Sequence, residues 1–181
     1  MEQKLEILSL AGNQVDNTIL DKCANLYCGI WREPPWNEDF WKPQEVKQDI
    51  IRDSAKEAGD CLIAVIGTDR VAGFTWGYMA PDNYLDEISG SDYFTSSGKF
   101  TETTFYVDEL GVDAGCRGHG VGKRLTRALI DHAAISGARS LVLRTDEKAF
   151  AARALYAKLG FVEIPVRDAK YPTRTYWHLA I

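Results

Sequence analysis

Cys116-Arg117-Gly118-His119-Gly120-Val121-Gly122-Lys123 stands between an apolar run ending in Leu110-Gly111-Val112-Asp113 and a run of helical periodicity over residues 124–135. Its three glycines leave little side-chain bulk, so successive backbone N–H groups can converge on one anion, and the helix that follows adds its positive dipole end. Lys123 and Arg124 bring positive charge to the rim. The physical reading is a phosphate cradle between a strand and a helix. Around it, residues 107–161 read as strand, glycine loop, helix, strand and helix.

Two phosphate loops of other folds fail the test of spacing. A Rossmann fingerprint needs G-x-G-x-x-G and an acid about 20 residues on; Gly118-His119-Gly120-Val121-Gly122 has the wrong spacing, and residues 140–143 offer no acid. A P-loop needs Ser or Thr after Gly-Lys, and Gly122-Lys123 is followed by Arg124. A glycine loop of this length also serves as a plain tight turn, so the decision falls to the sequence downstream.

Arg117-Gly118-His119-Gly120-Val121-Gly122 matches R/Q-x-x-G-x-G/A, Leu110-Gly111-Val112-Asp113 resembles the L-x-V-x strand before it, and Ala152-Arg153-Ala154-Leu155-Tyr156-Ala157-Lys158-Leu159-Gly160-Phe161 resembles A-x-x-L-Y-x-K-L-G-F. In this order and at this separation, these elements resemble the GNAT superfamily of acyl-CoA-dependent N-acetyltransferases. The motif core covers about a third of the chain. One position departs from the pattern: Ala149 stands where the family often has an Asn that contacts the pantetheine arm.

A chain of 181 residues with 45% hydrophobic and 26% charged residues suits one globular domain with a sizeable core. The net charge of −5 argues against a nucleic-acid partner and agrees with a cationic substrate. Cys23, Cys28, Cys61 and Cys116 form no C-x-x-C pair and no cluster with His, so neither a zinc site nor a disulfide framework is indicated. Met1-Glu2-Gln3-Lys4 lacks a signal-peptide profile and no apolar run approaches spanning length, so a cytoplasmic, non-membrane protein is expected.

Ahead of the motif core, residues 4–10 read as a strand, 15–27 as a helix, 43–58 as a helix opened by Pro43, and 61–66 with 71–79 as a hairpin. Gly77 inside the second hairpin strand suggests a bulge or a close backbone approach. Residues 30–41 hold Trp31, Trp36 and Trp41 with two prolines, which fits either a substrate-side wall or a cap on the core. Residues 80–99 read as an irregular acidic insertion: a lid, a dimer contact or a solvated loop. The central strand over 103–112, the helix over 121–136, a strand over 140–144, a helix over 149–159 and strands over 161–165 and 173–181 complete the chain. The resemblance implies a three-layer α/β/α sandwich on a mixed, mostly antiparallel sheet, with residues 1–181 as one domain and 103–165 as its CoA-binding core.

The resemblance also implies direct acetyl transfer from acetyl-CoA to an amine, with no metal and no covalent cysteine; Cys116 is then packing. Tyr156 takes the position of the family's general acid, which protonates the leaving thiolate. Asp108 and Glu109 adjoin on the central strand, and simple alternation sends them to opposite faces. Asp108 aligns by its spacing from Arg117 with a base proposed in some aminoglycoside acetyltransferases, and Glu109 takes that place if a bulge shifts the register. The resemblance puts Leu110, Gly111 and Val112 on the pantetheine arm and the amides of Arg117, Gly118, His119, Gly120, Val121, Gly122 and Lys123 on the pyrophosphate. The expected acceptor is a small cationic primary amine. The rival expectations are a protein N-terminus or lysine, and a CoA-binding regulatory module without turnover; a homodimer is a further expectation of the family.

Overall fold

The computed structural model describes residues 4–100 and 103–181. Seven strands form one sheet: β1 (Leu5–Ser9), β2 (Asp60–Ile66), β3 (Arg70–Met79), β4 (Thr104–Val112), β5 (Ser140–Asp146), β6 (Val162–Arg167) and β7 (Arg174–Ala180). Their order is β1-β2-β3-β4-β5-β7-β6, and every pairing is antiparallel except β4 with β5. The helices are α1 (Asn17–Trp31), α2 (Pro43–Ser54), α3 (Tyr84–Ser89), α4 (Tyr93–Ser97), α5 (Val121–Ile135) and α6 (Phe150–Lys158). Leu125 and Leu129 of α5 and Tyr156 of α6 pack with Phe105 and Val107 on one face of the sheet. Ile19, Tyr27 and Ile50 of α1 and α2 pack with Phe74 and Trp76 on the other, where α3 and α4 join through Leu85 and Phe94. The result is a three-layer α/β/α sandwich.

Two segments depart from the sequence expectation. Helix α1 runs on to Trp31, because Cys28, Ile30 and Trp31 continue its buried stripe, and it stops before Pro34, whose ring disfavours helical backbone at Glu33. Residues 80–99 are not irregular: they carry α3 and α4. The Asp86 carboxylate accepts from Phe94 N at 2.8 Å and Thr95 N at 3.0 Å, tying the two helices together. That acid is a structural cap, not a lure for substrate.

Two features of β4 position the site. Its pairing with β5 ends at Val107 opposite Leu143, after which β5 continues beside β7 alone and the sheet splays open. On its other edge, Glu109 pairs with Trp76 and Val107 with Gly77, leaving Asp108 as the extra residue of a bulge. Gly77 is required there: a Cβ would stand 2.4 Å from Tyr106 O and 2.5 Å from the Phe105 ring.

Candidate active site

The splay opens into a cleft of about 1110 Å³. One end is lined by Leu110, Gly111 and Val112 and by the glycine loop, from Arg117 to Lys123 without His119. Gly120 caps α5 at φ +79°, a backbone that side chains resist, and a Cβ there or at Gly118 would meet nothing within 4 Å. The first helical bond runs from Arg124 N to Gly120 O at 3.0 Å, so the amides before it point off the helix end with the positive dipole. Amides turned off a helix end in this way, with open space before them, have the geometry that an anion such as a phosphate group fits. The Arg117 side chain turns away: its Nε donates to Val112 O at 3.0 Å and its Nη1 meets Glu33 at 2.6 Å. His119 Nδ1 contacts Arg117 O at 2.8 Å. Cys116 is buried beside Arg70, and burial pushes its thiol up, which leaves it a neutral packing group.

The bulge corrects the expectation for the two acids. Phe105 and Val107 face α5, and so do Leu110 and Val112. Tyr106 faces α3, while a Cβ on Gly111 would strike Phe74 and Ile30 on that same side of the sheet. Between them, the extra residue turns Asp108 and Glu109 to one face, where simple alternation would have parted them. Tyr78 donates to Asp108 Oδ2 at 3.2 Å and shares a 2.7 Å hydrogen bond with Tyr84 of α3; Tyr27 donates to Glu109 Oε1 at 3.1 Å. Burial raises both carboxyls. Asp108 is pushed up to about 6 by burial and the charge of Asp53, with Tyr78, Arg144 and Lys56 opposing. Glu109 is raised well above the carboxylate range by burial and by Asp108 itself. Burial and the charge of Asp108 on Glu109 thus both act against ionising the adjacent pair together.

Tyr156 stands on α6 in the same cleft, 6% exposed and packed on Phe161. Burial, then the charge of Glu109, raises its phenol, so it holds its proton throughout the physiological range. One cleft therefore gathers an anion cradle, a carboxylate pair and a buried phenol. A model of the acetyltransferase (GNAT) family matches residues 21–161, well over half of the chain. The chain belongs to that family.

Relatives and solved GNAT structures agree. A probable glucosamine 6-phosphate N-acetyltransferase 2 of Oryza sativa is 39% identical over 128 residues, covering 65% of this chain and 70% of that protein. A mycothiol acetyltransferase of Kocuria rhizophila is 34% identical over 93 residues, or 51% of this chain. The match spans 26% of that protein, and 28% of the length of the Mycobacterium leprae protein ML0378. The structure of yncA from Salmonella typhimurium with its cofactor acetyl-CoA superposes with a TM-score of 0.68 at 15% identity, covering 97% of this chain and 93% of that one. That likeness bears on the GNAT fold alone.

Several parts of the site carry no motif. Tyr27, Trp76 and Tyr78 read from sequence as core of α1 and β3. Arg144, at the cleft end of β5, is held by Asp168 at 2.9 Å, and only its charge at the end of an apolar strand hints at a role. The tryptophans cap the core, as one of the two expectations has it: Trp31 is buried, Trp36 and Trp41 pack on the same core, and all three line the cleft. No residue of 80–99 lines it, so a lid over this cleft is not what the segment forms; Tyr84 instead stands behind Asp108. Among the described residues no group of three or more His, Cys, Asp or Glu could hold a metal ion, and no helix is long and apolar enough to cross a membrane.

Proposed function

We propose that the protein transfers the acetyl group of acetyl-CoA directly to a primary amine, in the cytoplasm. The observation that carries this reading is the placement of the Asp108–Glu109 pair and Tyr156 in one cleft beside the glycine cradle. Acetyl-CoA supplies the activated thioester carbonyl. The amides of residues 118–123 bind its pyrophosphate, and the main chain of Leu110 and Val112 holds the pantetheine arm. Asp108 attracts the acceptor ammonium and takes its proton, so the nitrogen presents a lone pair. Burial and the neighbouring Asp108 both oppose the ionisation of Glu109, which lowers the negative charge that Asp108 faces. Tyr156 gives its phenolic proton to the sulfur as the C–S bond breaks. The nitrogen loses its remaining extra proton to solvent as the adduct collapses to the amide, Asp108 releases its proton to solvent, and Tyr156 takes one back, for a net release of one proton.

Thiol release from acetyl-CoA against a panel of amines tests this, with Tyr156→Phe beside wild type. Amine-dependent release that falls at least roughly tenfold in the variant, with acetyl-CoA affinity retained, is the expected result. Equal rates would remove Tyr156 from the acid's role. Acetyl-CoA binding without release, for amines and for a peptide N-terminus alike, would favour a binding module.

A further inference from the structure

Six carboxylates line the cleft, and four of them are already neutralised. Glu33 pairs with Arg117, Glu38 with Arg174, Asp49 with Arg52, and Asp53 with Arg52 and Lys56. Asp108 and Glu109 accept phenolic hydroxyls instead, and are the two cleft acids without an ion pair among the described residues. They adjoin on the bulge, where burial and the charge of one carboxylate on the other both oppose ionising the two together. A pair that resists double ionisation suits one ammonium. A second ammonium on the same molecule finds no further carboxylate without an ion pair among the described residues that line the cleft.

The walls on the acceptor side are aromatic. Trp36 stacks on Trp31 with centroids 6.0 Å apart, Trp41 stands edge-on to Tyr27 at 5.4 Å, and Phe40 is 63% exposed. Flat rings left open beside polar groups are suited to stacking a flat apolar body. Trp76, opposite Glu109 in register, is 3% exposed, yet its indole N–H is buried with no acceptor among the described residues. A buried donor without a partner in a cleft marks a place where a ligand atom accepts.

We propose that the acceptor is a monocationic primary amine with a flat apolar body and a hydrogen-bond-accepting oxygen close to its nitrogen. This rests on the acetyltransferase reading and narrows it, against polyamines and aminoglycosides. The ammonium sits at Asp108 and Glu109, the oxygen accepts from Trp76 Nε1, and the body lies against Trp36 and Phe40.

Thiol release with 2-amino-1-phenylethanol, 2-phenylethylamine, n-butylamine and spermidine tests it in wild type, Trp36→Ala and Trp76→Phe. In wild type, kcat/KM for the phenyl amines should exceed that for spermidine by roughly tenfold or more, and the hydroxyl should add severalfold. Trp36→Ala should cost the phenyl amines, through KM, roughly tenfold more than it costs n-butylamine. Trp76→Phe keeps an aromatic ring and should bring the ratio between the two phenyl amines toward one. Spermidine as the preferred acceptor, equal loss on all amines in Trp36→Ala, or a hydroxyl effect that survives Trp76→Phe would overturn the proposal while the acetyltransferase reading stands. No release with any amine would overturn both.

Discussion

The two halves of the cleft are built in opposite ways. The half proposed for the coenzyme is built mainly from one continuous stretch, residues 110–123, and offers main-chain groups: a splayed strand, a glycine loop and a helix end. The acceptor half takes single side chains from far apart, from Tyr27 and Trp36 through Trp76 and Asp108 to Arg174. In the proposed reading, backbone amides take what every coenzyme A thioester shares. Side chains can be exchanged one at a time without disturbing that cradle, so a single fold supports many acceptors. The lesson is a division of labour that single substitutions should separate.

The largest effects should fall on opposite sides of this division. Gly120→Val places a branched side chain at φ +79°, where it is strained and fills the space beside the cradle. Acetyl-CoA affinity should fall by roughly a hundredfold or more, measured by calorimetry, because the amides no longer converge. Asp108→Asn should leave that affinity within about twofold while lowering kcat/KM for the amine by roughly 10²–10³. In wild type the same carboxyl should give the rate an acidic limb: activity falls as pH drops through about 6, where Asp108 takes up its proton and cannot accept another. Tyr78→Phe removes a hydrogen bond to the charged form and should move this limb upward. If Asp108→Asn instead weakened acetyl-CoA binding and spared the rate, the halves would not be separable.

The same division explains what could be read from sequence. The loop and the helix it caps follow from local rules of spacing, glycine content and periodicity, Tyr156 was singled out by the family resemblance, and the loop and Tyr156 line one cleft. Gly77 pointed to a bulge or a close backbone approach, and both are found there. Its consequence for Asp108 and Glu109 was not legible, since the register is a property of two strands joined by a segment of more than twenty residues. Nor could the ion pairs that silence Glu38 or Asp53 be seen, each joining residues by side-chain reach. Residues 80–99 looked irregular because α3 and α4 have only six and five residues, too short to show a period. Their buried Leu85 and Phe94, with the Asp86 cap, hold them in place by tertiary contact.

A smaller effect concerns stability, where the acceptor half should cost and the coenzyme half should not. The raised carboxyls bind protons more tightly folded than unfolded, so stability falls as pH rises from the ordinary carboxylate range near 4 through about 6, and beyond it for Glu109. A shift from 3.8 to about 6 at Asp108 corresponds to something on the order of 2–3 kcal/mol above that window. The double variant Asp108→Asn, Glu109→Gln should unfold at higher urea than wild type at pH 8 and at similar urea at pH 4. An equal difference at both pH values would mean that packing, not ionisation, sets the change.

The smallest effect tests the one weak point of the coenzyme half. Ala149 occupies the N-cap of α6, makes no side-chain capping bond and lines the cleft, so the first turn of the helix that carries Tyr156 has an unsatisfied amide end. Asn at this position supplies a carbonyl oxygen to that end and an amide to the pantetheine arm. Ala149→Asn should therefore raise stability by about 0.5–1 kcal/mol, read as a shift in the urea midpoint at constant slope. It should also lower KM for acetyl-CoA by a factor of roughly two to five while leaving kcat and the ranking of amines unchanged. A changed ranking of amines would mean that the N-terminus of α6 reaches into the acceptor half, and that the boundary between the two halves lies nearer Tyr156 than the cleft suggests.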